Sequence, residues 1–116
     1  MNQNDKSSTG PLLTRKDLQH DYSWKASEGD NPHLVDFPDD VLLNRREGYE
    51  ILPFINRFAA KHNLKQKRSG LKTEWLIHEK LPSDVRSHKK VRRWLEENWK
   101  AFDDEWNKKV ARGDIP

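Results

Sequence analysis

Val91, Leu95, Asn98, Trp99, Phe102, Trp106 and Val110 recur at steps of three and four over twenty residues. At about 100° per residue these positions stay within roughly a third of a helix circumference. No internal repeat is evident, and no β-hairpin signature of the Asn-Gly type appears. This pattern predicts an all-α fold: a small bundle of three to four helices, with a long C-terminal amphipathic helix and a disordered N-terminal tail. The long helix is expected from about Asp84 or His88 to Arg112, stopped by Gly113.

Two further helices are expected. Tyr49, Leu52, Ile55 (or Phe54), Phe58 and Ala59 keep helical spacing between Asn44 and His62. Asn44 followed by Glu47 resembles a capping box. Pro53 either kinks this helix or marks its first turn. Asn63 suits a left-handed C-cap, with Leu64 folding back. The second helix is expected over Leu71–Lys80, after a basic connection Lys65–Gly70 and before Pro82. Leu52, Ile55, Phe58, Trp75, Leu95, Trp99 and Phe102 are the expected core.

Residues 1–33 read as a flexible polar segment with one short helical turn after Thr14, where Leu18 faces inward with Leu12 or Leu13. Residues 34–116 read as one helical domain. Hydrophobic residues supply only 33% of the chain against 35% charged, and mean hydropathy is −1.14. A small core centred on aromatic side chains is therefore expected, since each aromatic ring buries a large area. The chain has no cysteine, which excludes disulfides and thiolate-bound zinc. Met1–Gly10 carries no apolar stretch of the signal-peptide kind, and no apolar run approaches a membrane span. A cytoplasmic location without membrane association is expected.

Charge is laid out in blocks. Residues 41–93 hold 14 Lys/Arg against 5 Asp/Glu, whereas residues 1–40 hold 4 against 8 and residues 94–106 hold 1 against 5. The formal net charge of +3 hides this segregation. A basic middle points to a polyanionic partner, DNA or RNA. The expected contacts are Lys65, Lys67 and Arg68 around the basic connection, and Arg86, Lys89, Lys90 and Arg93 at the start of the last helix. A helix N-terminus adds backbone donors and a positive dipole end there. In a helix-turn-helix arrangement, Leu71–Leu81 would position the domain and Ser83–Arg93 would approach the major groove. The turn lacks the usual glycine.

The expected function is therefore that of a small non-enzymatic nucleic-acid-binding or regulatory protein. The alternative is a protein-interaction module, an adaptor or inhibitor, that presents the aromatic face of the last helix to a protein partner or a second copy. Most of that face is expected in the core. Trp94, at its edge, and Trp24, in a polar segment, are the better candidates for exposed contacts. The five histidines show no metal-ligand spacing, and no nucleophile, phosphate-loop or dinucleotide motif is present. No cofactor, metal or catalytic residue is expected. His78 reads as a buried, hydrogen-bonded residue, and Asn98 as a polar residue that either sets register in helix pairing or bonds a neighbouring carbonyl or faces a gap in the core. The runs Asp39–Asp40 and Asp103–Glu105 read as solvated.

Overall fold

The computed structural model describes residues 11–25 and 37–116. The expected boundary at 33/34 and the expected disordered residues 1–10 lie outside them. Four helices carry the fold: α1 over Gly48–Lys61, α2 over Lys67–Trp75, α3 over His88–Asn98 and α4 over Asp103–Ala111. A π-helical turn, Leu76–Lys80, extends α2, and a 3-10 turn covers Arg15–Asp17. The described residues form no strand. Their only bridges are isolated, Ser23 with Glu47 and Leu42 with Ser87. No described helix is long and apolar enough to cross a membrane.

The first helix begins at Gly48, not Asn44. Glu47 is its N-cap, its carboxylate accepting the Tyr49 N–H at 3.1 Å. Asn44 instead accepts the Arg46 N–H through its own side chain and makes a local turn. The helix runs through Pro53 and ends as the sequence implies. Asn63 takes φ 56°, and the Leu64 N–H returns to the Ala59 carbonyl at 2.8 Å. Helix α2 starts earlier than expected, so Lys67 and Arg68 belong to its first turn.

The long C-terminal helix is divided. Helix α3 ends at Asn98, Trp99–Phe102 make a turn, and α4 restarts at Asp103. The Asn98 amide donates to the Trp94 carbonyl at 2.9 Å, within the last turn of α3. Asp103, Asp104 and Glu105 then fill the first turn of α4, where carboxylates oppose the positive end of the helix dipole. The break re-aims the stripe. Trp106 is buried against Trp75, with ring centroids 5.3 Å apart, while Lys72 pairs with Asp103 and Lys80 with Glu105 at 2.9 Å.

The core contains Ile55, Phe58, Trp75 and Leu95 as expected, but Leu52, Trp99 and Phe102 only line its edge. Leu13, Ile51, Phe54, Ile55, Leu76, Ile77, Val91 and Leu95 are its fully enclosed members. Residues 11–25 form a strap across α1 and α2. The Leu13 N–H donates to the Asn56 side chain at 2.9 Å, and the Asn56 amide donates back to the Leu13 carbonyl at 3.1 Å. A Cβ at Gly70 would meet the Leu13 side chain at 2.8 Å, so this crossing requires glycine. Trp24 packs just as closely on Gly48 and carries the Arg15 guanidinium 4.0 Å above its ring. It is half-buried packing material, not a free stacking surface. Trp94 is likewise half-buried, stacked on Phe102 at 6.2 Å.

Candidate nucleic-acid interface

The charge blocks of the sequence turn out to be partly matched against each other. Lys72 and Lys80 pair with acids of α4, Arg92 pairs with Glu96 at 2.8 Å, and Lys67 pairs with Asp17 at 3.3 Å. The cations left without an ion pair to any described residue include Arg46, Arg86, Lys89, Lys90 and Arg93, along with Lys65 and Arg68. This remainder, and not the whole basic block, is the candidate interface.

These cations lie in two places. Lys65 sits in the connection before α2, and exposed Lys67 and Arg68 lie in the first turn of that helix. Arg86 precedes α3, Lys89 and Lys90 occupy its first turn, and Arg93 follows one turn later. Helix α2 and its π-helical turn lie between the two groups along the chain. The segment Leu81–Ser87 between α2 and α3 is also about twice as long as a helix-turn-helix turn of 3–4 residues. That motif is absent here.

The group at α3 is joined by two residues the sequence reading did not select. Arg45, Arg46 and Arg86 line an open depression of about 600 Å³ together with Leu42, Leu43, Asn44 and Ser83. None of these lining residues is acidic. Arg45 is its fixed part: the guanidinium donates to the carbonyls of Leu81 at 3.2 Å, Pro82 at 2.6 Å and Val85 at 2.7 Å. Carbonyls satisfy donors without cancelling charge, so the positive field stays. Burial lowers the Arg45 pKa, and the nearby Arg86 charge lowers it further. Two like charges thus line one depression with no counter-charge among its described lining residues. Backbone bonds hold both sides in place. The Leu43 N–H donates to the Arg86 carbonyl at 2.8 Å, and the His88 N–H donates to the Val41 carbonyl at 2.9 Å. Ser87 caps α3 by accepting the Lys90 N–H at 3.1 Å. The adjacent Arg45-Arg46 pair was visible in the sequence, but it was absorbed into the expected start of the first helix.

A second concentration of polar groups lies between the strap and α2. Glu74, 1% exposed, accepts the Gln19 N–H at 2.9 Å, the His20 N–H at 3.2 Å and the Tyr22 hydroxyl at 2.6 Å. Because the Tyr22 proton goes to Glu74, His78 Nε2 donates to the Tyr22 oxygen at 2.7 Å. The His78 ring stacks on His20 with centroids 4.1 Å apart. Burial first, then the His20 and Arg45 charges, push the His78 pKa down to about 4, so it is neutral at pH 7. Burial, reinforced by Glu74, raises the Tyr22 pKa and keeps its proton in place. The members of this cluster satisfy one another, and its evident role is to hold the strap. His88, also buried, has its pKa lowered to about 4 by burial and by Arg57, whose NH2 group lies 3.2 Å from Nδ1. Among the described residues no group of His, Asp or Glu side chains is placed to hold a metal ion. Compared with protein-family models, curated proteins and solved structures, the chain finds no match.

Proposed function

We propose that this chain is a small cytoplasmic, non-enzymatic nucleic-acid-binding or regulatory protein that holds the phosphate backbone at the corner formed by Arg45, Arg46, Arg86 and the start of α3. The observation that carries this reading is the pair of arginines, Arg45 and Arg86, that line one depression with no carboxylate among its described lining residues. Lys89, Lys90 and Arg93 extend the same positive field along α3. Phosphate oxygens accept charge-assisted hydrogen bonds from such groups and relieve their mutual repulsion. Lys65 and Arg68, at the far end of α2, belong to this reading as outlying contacts for a ligand long enough to reach them.

The test is a titration with duplex DNA, single-stranded DNA and RNA at two salt concentrations. Binding that weakens steeply with salt is expected for at least one of them. Absence of binding to all three at low salt would remove the reading. The alternative, a protein-interaction module, has one observation on its side. Phe58, Leu64 and Trp99 line a groove of about 340 Å³ beside the His62–Glu96 pair. Against it, Trp106 is buried on Trp75, so the aromatic face is not continuous at the surface.

A further inference from the structure

Leu42 is one of two large apolar side chains exposed among the described residues, at 55%, and it lines the arginine depression. An exposed leucine alone means little. This one is distinguished by its mount. The antiparallel bridge with Ser87 fixes its backbone, and hydrogen bonds at Leu43 and Val41 close both sides. Below it, Arg45 ties the loop to three carbonyls of the facing segment. The backbone that carries the side chain cannot be withdrawn without opening this joint. Its exposed cationic neighbours are Arg46 and Arg86.

A rigid apolar tip flanked by uncompensated cations matches a partner that is anionic outside and apolar within. A nucleic-acid duplex has that construction, with phosphates on the rim and stacked bases inside. We propose that Leu42 is a wedge that enters the minor groove of duplex DNA and partly unstacks one base step, while Arg46 and Arg86 hold the flanking phosphates. Apolar wedges act this way by exchanging stacking for a bent duplex that meets more protein surface. Pyrimidine–purine steps unstack most easily, so a central TA step is the favoured site. This inference rests on the nucleic-acid reading and adds to it a ligand class and a mode of binding.

The experiment uses the full chain and a duplex of roughly 25 base pairs, a length over which a bend is measurable, with a central TA step and a fluorescent donor and acceptor at its ends. Wild-type protein is expected to shorten the end-to-end distance. Leu42→Ala should abolish the bend and weaken binding about tenfold, while Leu42→Met, which keeps an apolar wedge, should restore both. On a duplex with a one-nucleotide gap at the centre, already unstacked, wild type and Leu42→Ala should bind alike. Circular dichroism melts should be unchanged, since Leu42 contributes little to the core. Salt-sensitive binding with no bend, or a bend that survives Leu42→Ala, would overturn the wedge and leave phosphate binding standing. No binding of wild type to any duplex would overturn the wedge, and no binding to single-stranded DNA or RNA either, as an acidic protein partner at this corner would give, would overturn both.

Discussion

The strap side and the arginine corner handle polar groups in opposite ways. Beneath the strap, a buried carboxylate, Glu74, meets two backbone donors and a hydroxyl, and His78 completes the chain of bonds. At the corner, Arg45 and Arg86 line one depression, the charge of Arg86 acts on Arg45, and carbonyls satisfy the donors of Arg45 without neutralising it. A satisfied network contributes to stability, because removing any member strands the others. An unmatched pair of like charges costs stability and is relieved only by an added anion. The contrast separates what the chain uses to fold from what it offers to a ligand.

If that division holds, stability and binding should respond to different residues. The largest stability effect should come from the centre of the core. Phe58, 2% exposed, packs against His62 and Trp99, and Phe58→Ala should cost about 3–5 kcal/mol in a denaturant melt. Trp99→Ala should cost less, since Trp99 only lines the edge.

Next comes the strap clasp. Glu74→Gln keeps the shape but removes the charge that its donors meet, and should cost about 1–3 kcal/mol. Protease cleavage within residues 14–22 should accelerate in this variant. Unchanged melting and cleavage would mean that the strap is held elsewhere, at Asn56 and Gly48.

The pH dependence should follow His78 and His88. Both have folded pKa values near 4, below the ordinary 6.5. Between those values the unfolded chain binds more protons than the folded one, so stability rises with pH. Stability should therefore be fully present above pH 6.5 and fall as pH drops toward 4, with an uptake of up to two protons on unfolding. His88→Gln should reduce that uptake by about one.

The smallest stability effect belongs to the corner. Arg46→Gln and Arg86→Gln should change the melt by no more than about 0.5 kcal/mol, as surface changes usually do. Arg86→Gln should lean toward stabilisation, because it removes a repulsion from Arg45. A loss of 2 kcal/mol from either would mark the corner as structural and end the contrast.

Helical character was legible in the periodicity of residues 49–59 and 91–110, and the left-handed cap at Asn63 followed from its side chain. The split between α3 and α4 was not read, although its signal was present. Asp103-Asp104-Glu105 is a helix-start signature, but it lies inside an unbroken apolar stripe that masks it. Tertiary contacts decided the matter: Trp106 reaches Trp75 only if the chain turns at Phe102. The strap was illegible for a related reason. Leu13, Tyr22 and Trp24 are scattered among polar residues, and their burial depends on Gly70, Glu74 and Gly48, which are distant in sequence. The candidate site was half legible. Charge counting found Arg86, Lys89, Lys90 and Arg93, but it could not show that Lys67, Lys72 and Lys80 are matched internally. Nor could it show that Arg45 and Arg46 fold back beside Arg86.

The central claim is that the unmatched cations of the corner bind phosphate. The salt dependence of duplex binding tests it most directly, measured for wild type and for the combined variant Arg46→Gln, Arg86→Gln, Lys90→Gln. Each lost phosphate contact removes about 0.9 from the log–log slope, so the variant should be flatter by nearly 3 while its melt is unchanged. An identical slope for the two proteins, or no binding by wild type to duplex DNA, single-stranded DNA or RNA at low salt, would contradict the account.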